Sequence, residues 1–143
     1  MIRVLVADDH TLVRAGMVRI LTESGLCEVV AEASDGREAV DRAIETRPHV
    51  VVLDITMPRL NGIELTKRIR QELPHTSVIL ISSYTEDAYR LMASDSGADA
   101  FVSKRVIHEA LLPALRDLIR RISGGSGPLP PSAGTSPASA ASK

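Results

Sequence analysis

The chain has 143 residues, 44% of them hydrophobic and 24% charged, with a formal net charge of -1. This is an ordinary globular mix with material for one core and a short extension, and its balance offers no basic surface for nucleic acid or an anionic membrane. Trp is absent and aromatics are 2%, which argues against a base-stacking platform. The single Cys27 cannot form an internal disulfide or a cysteine cluster, and core packing is its expected role. Met1 leads straight into a strand-like run, so no signal peptide is expected. No apolar run is long enough to cross a bilayer, and the expected location is the cytoplasm.

Apolar strand patterns alternate with helical ones down the chain. Ile2 to Ala7 reads as the first strand. Thr11 to Thr22 follows as a helix, with Val13, Met17, Ile20 and Leu21 on one face. Cys27 to Ala33 is the second strand, and Ser34-Asp35-Gly36 a turn with a helix cap. Ala39, Val40, Ala43 and Ile44 mark the next helix, stopped by Pro48. Val50 to Leu53 is wholly apolar, as a buried parallel strand should be. Met57 to Gly62 is a loop in which Asn61 can cap the helix carrying Leu65, Ile69 and Leu73, ended by Pro74. Val78 to Ile81 is the fourth strand, Thr85 to Ser96 a weaker fourth helix, and Ala100 to Ser103 the fifth strand. Leu111, Leu112, Leu115, Leu118, Ile119 and Ile122 make a strongly amphipathic fifth helix. Because an interior proline costs a hydrogen bond and clashes with the preceding turn, that helix is expected to start near Leu112, with Pro113 in its first turn. From Gly124 to Lys143 Gly, Ser, Pro and Ala dominate, which predicts a flexible tail or interdomain linker.

Five strand–helix units predict an α/β flavodoxin-like (βα)5 three-layer sandwich with a parallel sheet of order 2-1-3-4-5. The functional side chains stand at strand ends. The first strand runs into Asp8-Asp9, the third into Asp54, the fourth into Ser82-Ser83 and the fifth into Lys104. Each has an ordinary use: acids favour a helix start, a strand-end Ser or Asp suits a turn, and a lone Lys is usually solvated. In a parallel sheet, however, they converge on one crevice. Three carboxylates together call for a cation, and Mg²⁺ takes oxygen ligands of this kind; the lysine and hydroxyl suit a phosphoryl group.

Val4 to Asp9 with His10 to Gly16, the stretch LDITMPRLNG (Leu53 to Gly62), Val78 to Ser82, and GADAFVSK (Gly97 to Lys104) resemble the receiver domain of two-component response regulators. The resemblance covers residues 1 to about 123. The opening ADDHTLVRAG is most similar to receivers whose output is a LuxR-type helix-turn-helix. The resemblance implies that Asp54 is the phospho-acceptor, taking a phosphoryl group from a sensor histidine kinase. It implies Mg²⁺ held by Asp9 directly, Asp8 through water, Asp54, and the backbone carbonyl of Thr56. Lys104 and Ser82 would contact the phosphoryl oxygens, and Phe101 would be the aromatic switch that follows Ser82. The signal would appear on the face of the fourth helix, fifth strand and fifth helix; that face, or one made by the first and fifth helices, would serve a homodimer. Such a protein modifies only itself and is not an enzyme acting on others.

Some positions are unusual for the family: Ser83, Thr56 and Tyr84 flanking the site, Arg105 after Lys104, and Ser94-Asp95-Ser96 and Pro113 on the signalling face. The alternative is a pseudo-receiver, an interaction module not phosphorylated at Asp54. An aspartyl phosphatase would need a second acid in Asp54-Ile55-Thr56, and a flavin binder a phosphate loop where Asp8-Asp9 stand. No helix-turn-helix pattern follows Ser123, so this chain alone is not expected to bind DNA, and no membrane contact is expected. Transcriptional output would come from a separate DNA-binding domain.

Overall fold

A computed structural model describes residues 1–55, 62–82 and 97–125, with the backbone alone for 62–63 and 123–125. The described elements run β1 (Ile2–Ala7), α1 (Thr11–Ser24), β2 (Cys27–Ala33), α2 (Gly36–Thr46), β3 (Val50–Asp54), α3 (Gly62–Glu72), β4 (Ser77–Ser82), β5 (Ala100–Ser103), a 3₁₀ turn (Lys104–Val106) and α4 (Ile107–Gly125). The last is the fifth helix of the sequence pattern. The expected fourth helix, the Asn61 cap, Thr56, Ser83, Tyr84 and the tail beyond 125 lie outside the described residues.

The sheet order is β2-β1-β3-β4-β5, and every neighbouring pair is parallel. Residues alternate between its faces, because successive strand side chains point to opposite sides. Leu5, Val51, Leu53, Val78 and Leu80 meet Ala39, Val40 and Ala43 of α2 and Leu65 and Ile69 of α3. Val4, Val6, Val50, Val52, Ile79 and Ile81 meet Met17 and Leu21 of α1 and Leu111, Leu115 and Leu118 of α4. Right-handed crossovers explain the division. The chain moves outward from β1 to β2, then back past β1 to β3, so α1 lies on one face and α2 and α3 on the other. The reversal leaves a crevice where β1 and β3 end.

Local chemistry sets the helix limits. Asp35 caps α2 by accepting the Glu38 N–H at 2.8 Å, while the Glu38 carboxylate reaches back to the Ser34 N–H at 2.7 Å. α2 ends in Arg47, a left-handed residue (φ 46°) whose N–H still bonds Ala43. Pro48 ends the helix here, since the residue before a proline is driven out of the right-handed helical region, and the left-handed Arg47 supplies the helix C-cap.

The expected late start of the last helix is incorrect. α4 begins at Ile107, and Pro113 is its seventh residue. The Glu109 carbonyl therefore lacks its usual N–H partner, a defect of about 3 kcal/mol in a free helix. Tertiary packing outweighs it: Leu111, on the N-terminal side of Pro113, is fully buried with Leu115 and Leu118. Each buried leucine stabilises the fold by about 1.5–3 kcal/mol.

Candidate functional site

Register brings the strand ends level. Ala7 pairs with Leu53, so Asp8 and Asp54 follow side by side. Asp54 pairs with Ile81, and Ser82 with Ser103, so Lys104 begins the turn leaving the same edge. Asp8, Asp54 and Lys104 also share strand parity with Val6, Val52 and Val102, residues of the α1/α4 face. The Asp8 N–H is held by the Ala33 carbonyl and the Ile55 N–H by that of Ile81, each across a strand boundary.

Asp8 and Asp54 have no exposed surface, and the Lys104 side chain is only 10% exposed. Its ammonium donates to Asp54 Oδ2 at 3.0 Å and lies 3.1 Å from Asp8 Oδ2. Burial pulls the Lys104 pKa down, but the hydrogen bond to Asp54 and the negative charges of Asp54 and Asp8 outweigh it, and the net shift is upward. Three carboxylates against one ammonium leave the crevice short of two positive charges. Asp8 Oδ2 and Asp9 Oδ1 are buried without an aligned hydrogen bond. Buried polar atoms normally find a partner, and oxygen donors of this kind fit Mg²⁺.

Ser82 is buried at the end of β4, and Phe101 is half-buried, packing against the core on the α2/α3 face. The residue not singled out from the sequence is His10. It precedes the first turn of α1 without capping it through its side chain. Its backbone N–H instead bonds Asp8 Oδ1 at 2.8 Å, and its Nδ1 lies 3.2 Å from Asp8 Oδ1, 3.4 Å from Asp9 Oδ1 and 3.9 Å from Asp54 Oδ2. The imidazole directly after an acid pair was the available signal, but its direction depends on the β1–α1 bend. Arg14 holds that bend, donating to the Asp8 carbonyl at 2.7 Å and pairing with Glu32 of β2 at 3.1 Å.

A flavodoxin-like sheet with acids and a lysine gathered at its β1/β3 crevice has the architecture of receiver domains. The chain belongs to the response regulator receiver domain family, matching it over residues 4–116. It is 34% identical over 119 residues to response regulator protein VraR of Staphylococcus aureus, covering 83% of this chain and 57% of VraR. It therefore spans little more than half the length of that relative. The signal receiver domain of the putative response regulator NarL from Mycobacterium tuberculosis is 39% identical, with a TM-score of 0.76, over 81% of this chain and 94% of that one. A DNA-binding response regulator of the LuxR family from Staphylococcus aureus is 28% identical, with a TM-score of 0.77, over 82% and 98%. These relatives are consistent with the LuxR-type subfamily. Among the described residues, no helix is long and apolar enough to cross a membrane.

Proposed function

We propose that this receiver is a phosphorylation-dependent switch that accepts a phosphoryl group on Asp54 from a sensor histidine kinase. The observation that carries the reading is the fully buried Asp54 carboxylate with the Lys104 ammonium 3.0 Å away, inside a crowd of further acids. Asp54 Oδ attacks the phosphorus of a phosphohistidine. A P–O bond forms, the P–N bond breaks, and the imidazole leaves with a proton. Lys104 turns from Asp54 to a phosphoryl oxygen as a compact point charge, and the Ser82 hydroxyl donates to another. Asp9 and Asp54 directly, and Asp8 through water, would hold Mg²⁺, with the Thr56 carbonyl the further ligand the family resemblance implies; the bound ion would neutralise charge gathered at the phosphoryl group.

The modification adds about 1.5–2 negative charges at one point. Ser82 and Phe101 relay it to the face that includes β5 and α4, where a homodimer or an output contact responds. The output is transcriptional, through a separate DNA-binding domain. The similarity to a DNA-binding LuxR-family regulator supports this output, and the proposed place of the reaction is the cytoplasm.

Incubation with a small phosphodonor and Mg²⁺ tests the chemistry. Mass spectrometry is expected to find one labile phosphoryl group on Asp54, absent from Asp54→Asn and from samples with chelator. An unmodified wild-type chain would leave an interaction module without phosphorylation.

A further inference from the structure

We propose that His10 is a nitrogen ligand of the strand-end cation site and biases it toward first-row transition-metal ions over Mg²⁺, with Mn²⁺ as the spectroscopic probe. The inference rests on the proposed metal site and adds to it a ligand of different chemistry.

Spacing is the first argument. An octahedral ion with bonds of about 2.1 Å holds adjacent ligands about 3.0 Å apart and opposite ligands about 4.2 Å apart. His10 Nδ1 lies 3.2, 3.4 and 3.9 Å from oxygens of Asp8, Asp9 and Asp54, all within that window. The four ligand atoms of Asp8, Asp9, His10 and Asp54 lie within 4.8 Å of one another. Independent of the imidazole, the fully buried Asp8 Oδ2 has no aligned hydrogen bond, and the Lys104 ammonium 3.1 Å away marks the position it faces as one that takes a cation.

The second argument is what His10 forgoes. It stands where Ser, Thr, Asp or Asn would cap α1, a role worth about 1 kcal/mol, and its side chain makes no cap bond. The ring turns to the crevice instead, where the Lys104 ammonium sits 3.2 Å from Nδ1. Nδ1 meets both the Asp8 carboxylate, which needs an N–H, and the ammonium, which only donates; in the tautomer protonated at Nε2 the Nδ1 lone pair accepts from the ammonium. A metal needs the same lone pair. Imidazole nitrogen favours transition metals, whereas Mg²⁺ is best served by oxygen.

Pulsed EPR of the Mn²⁺-loaded chain reads the bond directly. Wild-type protein is expected to show ¹⁴N coupling from a coordinated nitrogen, replaced by ¹⁵N coupling when only histidine is ¹⁵N-labelled, and absent from His10→Gln. Even an outer-sphere partner is worth roughly 10–100-fold in metal affinity. Calorimetry should therefore show Mn²⁺ binding falling at least tenfold in His10→Gln while Mg²⁺ binding changes far less. Mn²⁺ bound without coordinated nitrogen, or equal losses for both ions, overturns the proposal. If Mg²⁺-dependent phosphorylation of Asp54 persists in that case, the receiver reading stands and only the ligand role of His10 fails. Absence of any divalent binding overturns both.

Discussion

The two ends of the sheet are built on opposite terms. At the amino ends of the strands, polar groups are matched. The His49 N–H bonds Arg3, the Ser77 N–H bonds His49, and the Asp99 N–H bonds Val78. The Asp99 carboxylate takes the Val78 N–H at 2.8 Å and Arg70 at 3.2 Å, and the Thr76 hydroxyl donates to the Pro48 carbonyl at 2.8 Å. At the carboxyl ends, Asp8 and Asp54 share one ammonium beside a third acid, Asp9, and two buried carboxylate oxygens lack an aligned hydrogen bond. One end ties the strands in register. The other concentrates uncompensated charge where a cation and an anionic group can relieve it. Departures from local satisfaction gather at the functional end, as expected when a fold gives up stability for chemistry.

Substitutions can break or sharpen this contrast. The largest effect is expected from Lys104→Met, which leaves Asp8 and Asp54 buried without their cation. Breaking such a buried pair costs about 3–5 kcal/mol, measurable by urea unfolding in chelator. Mg²⁺ should recover part of the loss, and a variant as stable as wild type without metal would remove the claim that the crevice is charge-frustrated. At the other end, Asp99→Ala strands the Val78 N–H and is expected to cost about 1–3 kcal/mol, with Asp54 phosphorylation retained. Asp8→Asn should move stability the other way. It removes one of three like charges and leaves a carbonyl for the His10 N–H, so the metal-free protein should gain about 0.5–2 kcal/mol while losing its stabilisation by Mg²⁺. Thermal melts with and without the ion measure both.

The smallest effect concerns His49. Burial, then the positive charges of Arg3 and the chain amino terminus, lower its pKa. Its Nδ1 accepts the Arg3 N–H at 2.9 Å, which requires the neutral ring. The folded state therefore binds this proton less readily than the unfolded chain. The contribution is complete above about pH 6.5 and is lost as the pH falls toward the lower folded value. Urea midpoints between pH 7 and 5 should decline less steeply in His49→Gln. Identical slopes would show that His49 does not add to the stitching of that end.

Much of this is legible in the amino-acid sequence itself. Apolar runs such as Val50 to Leu53 mark strands buried on both faces, and the parallel order follows from alternating strands and helices with right-handed crossovers. Residues directly after such runs must emerge at one edge. That is why Asp8, Asp54 and Lys104 could be grouped, although they lie 46 and 50 positions apart. Their chemical roles remain the proposed ones, because position alone does not assign a nucleophile.

Other features depended on distant contacts. Pro113 obeys its local preference only until Leu111, Leu115 and Leu118 are set against the sheet, where burial outweighs the missing hydrogen bond. The direction of the His10 ring depends on the β1–α1 bend, held by Arg14 through a partner on β2. Periodicity and strand-end identity are local and survive in the sequence alone, so they determined the element types, their layering and the acids and lysine of the crevice. Where Pro113 falls in its helix, and which way His10 faces, are settled by residues far away in the chain. Only the packed tertiary structure brings those residues together.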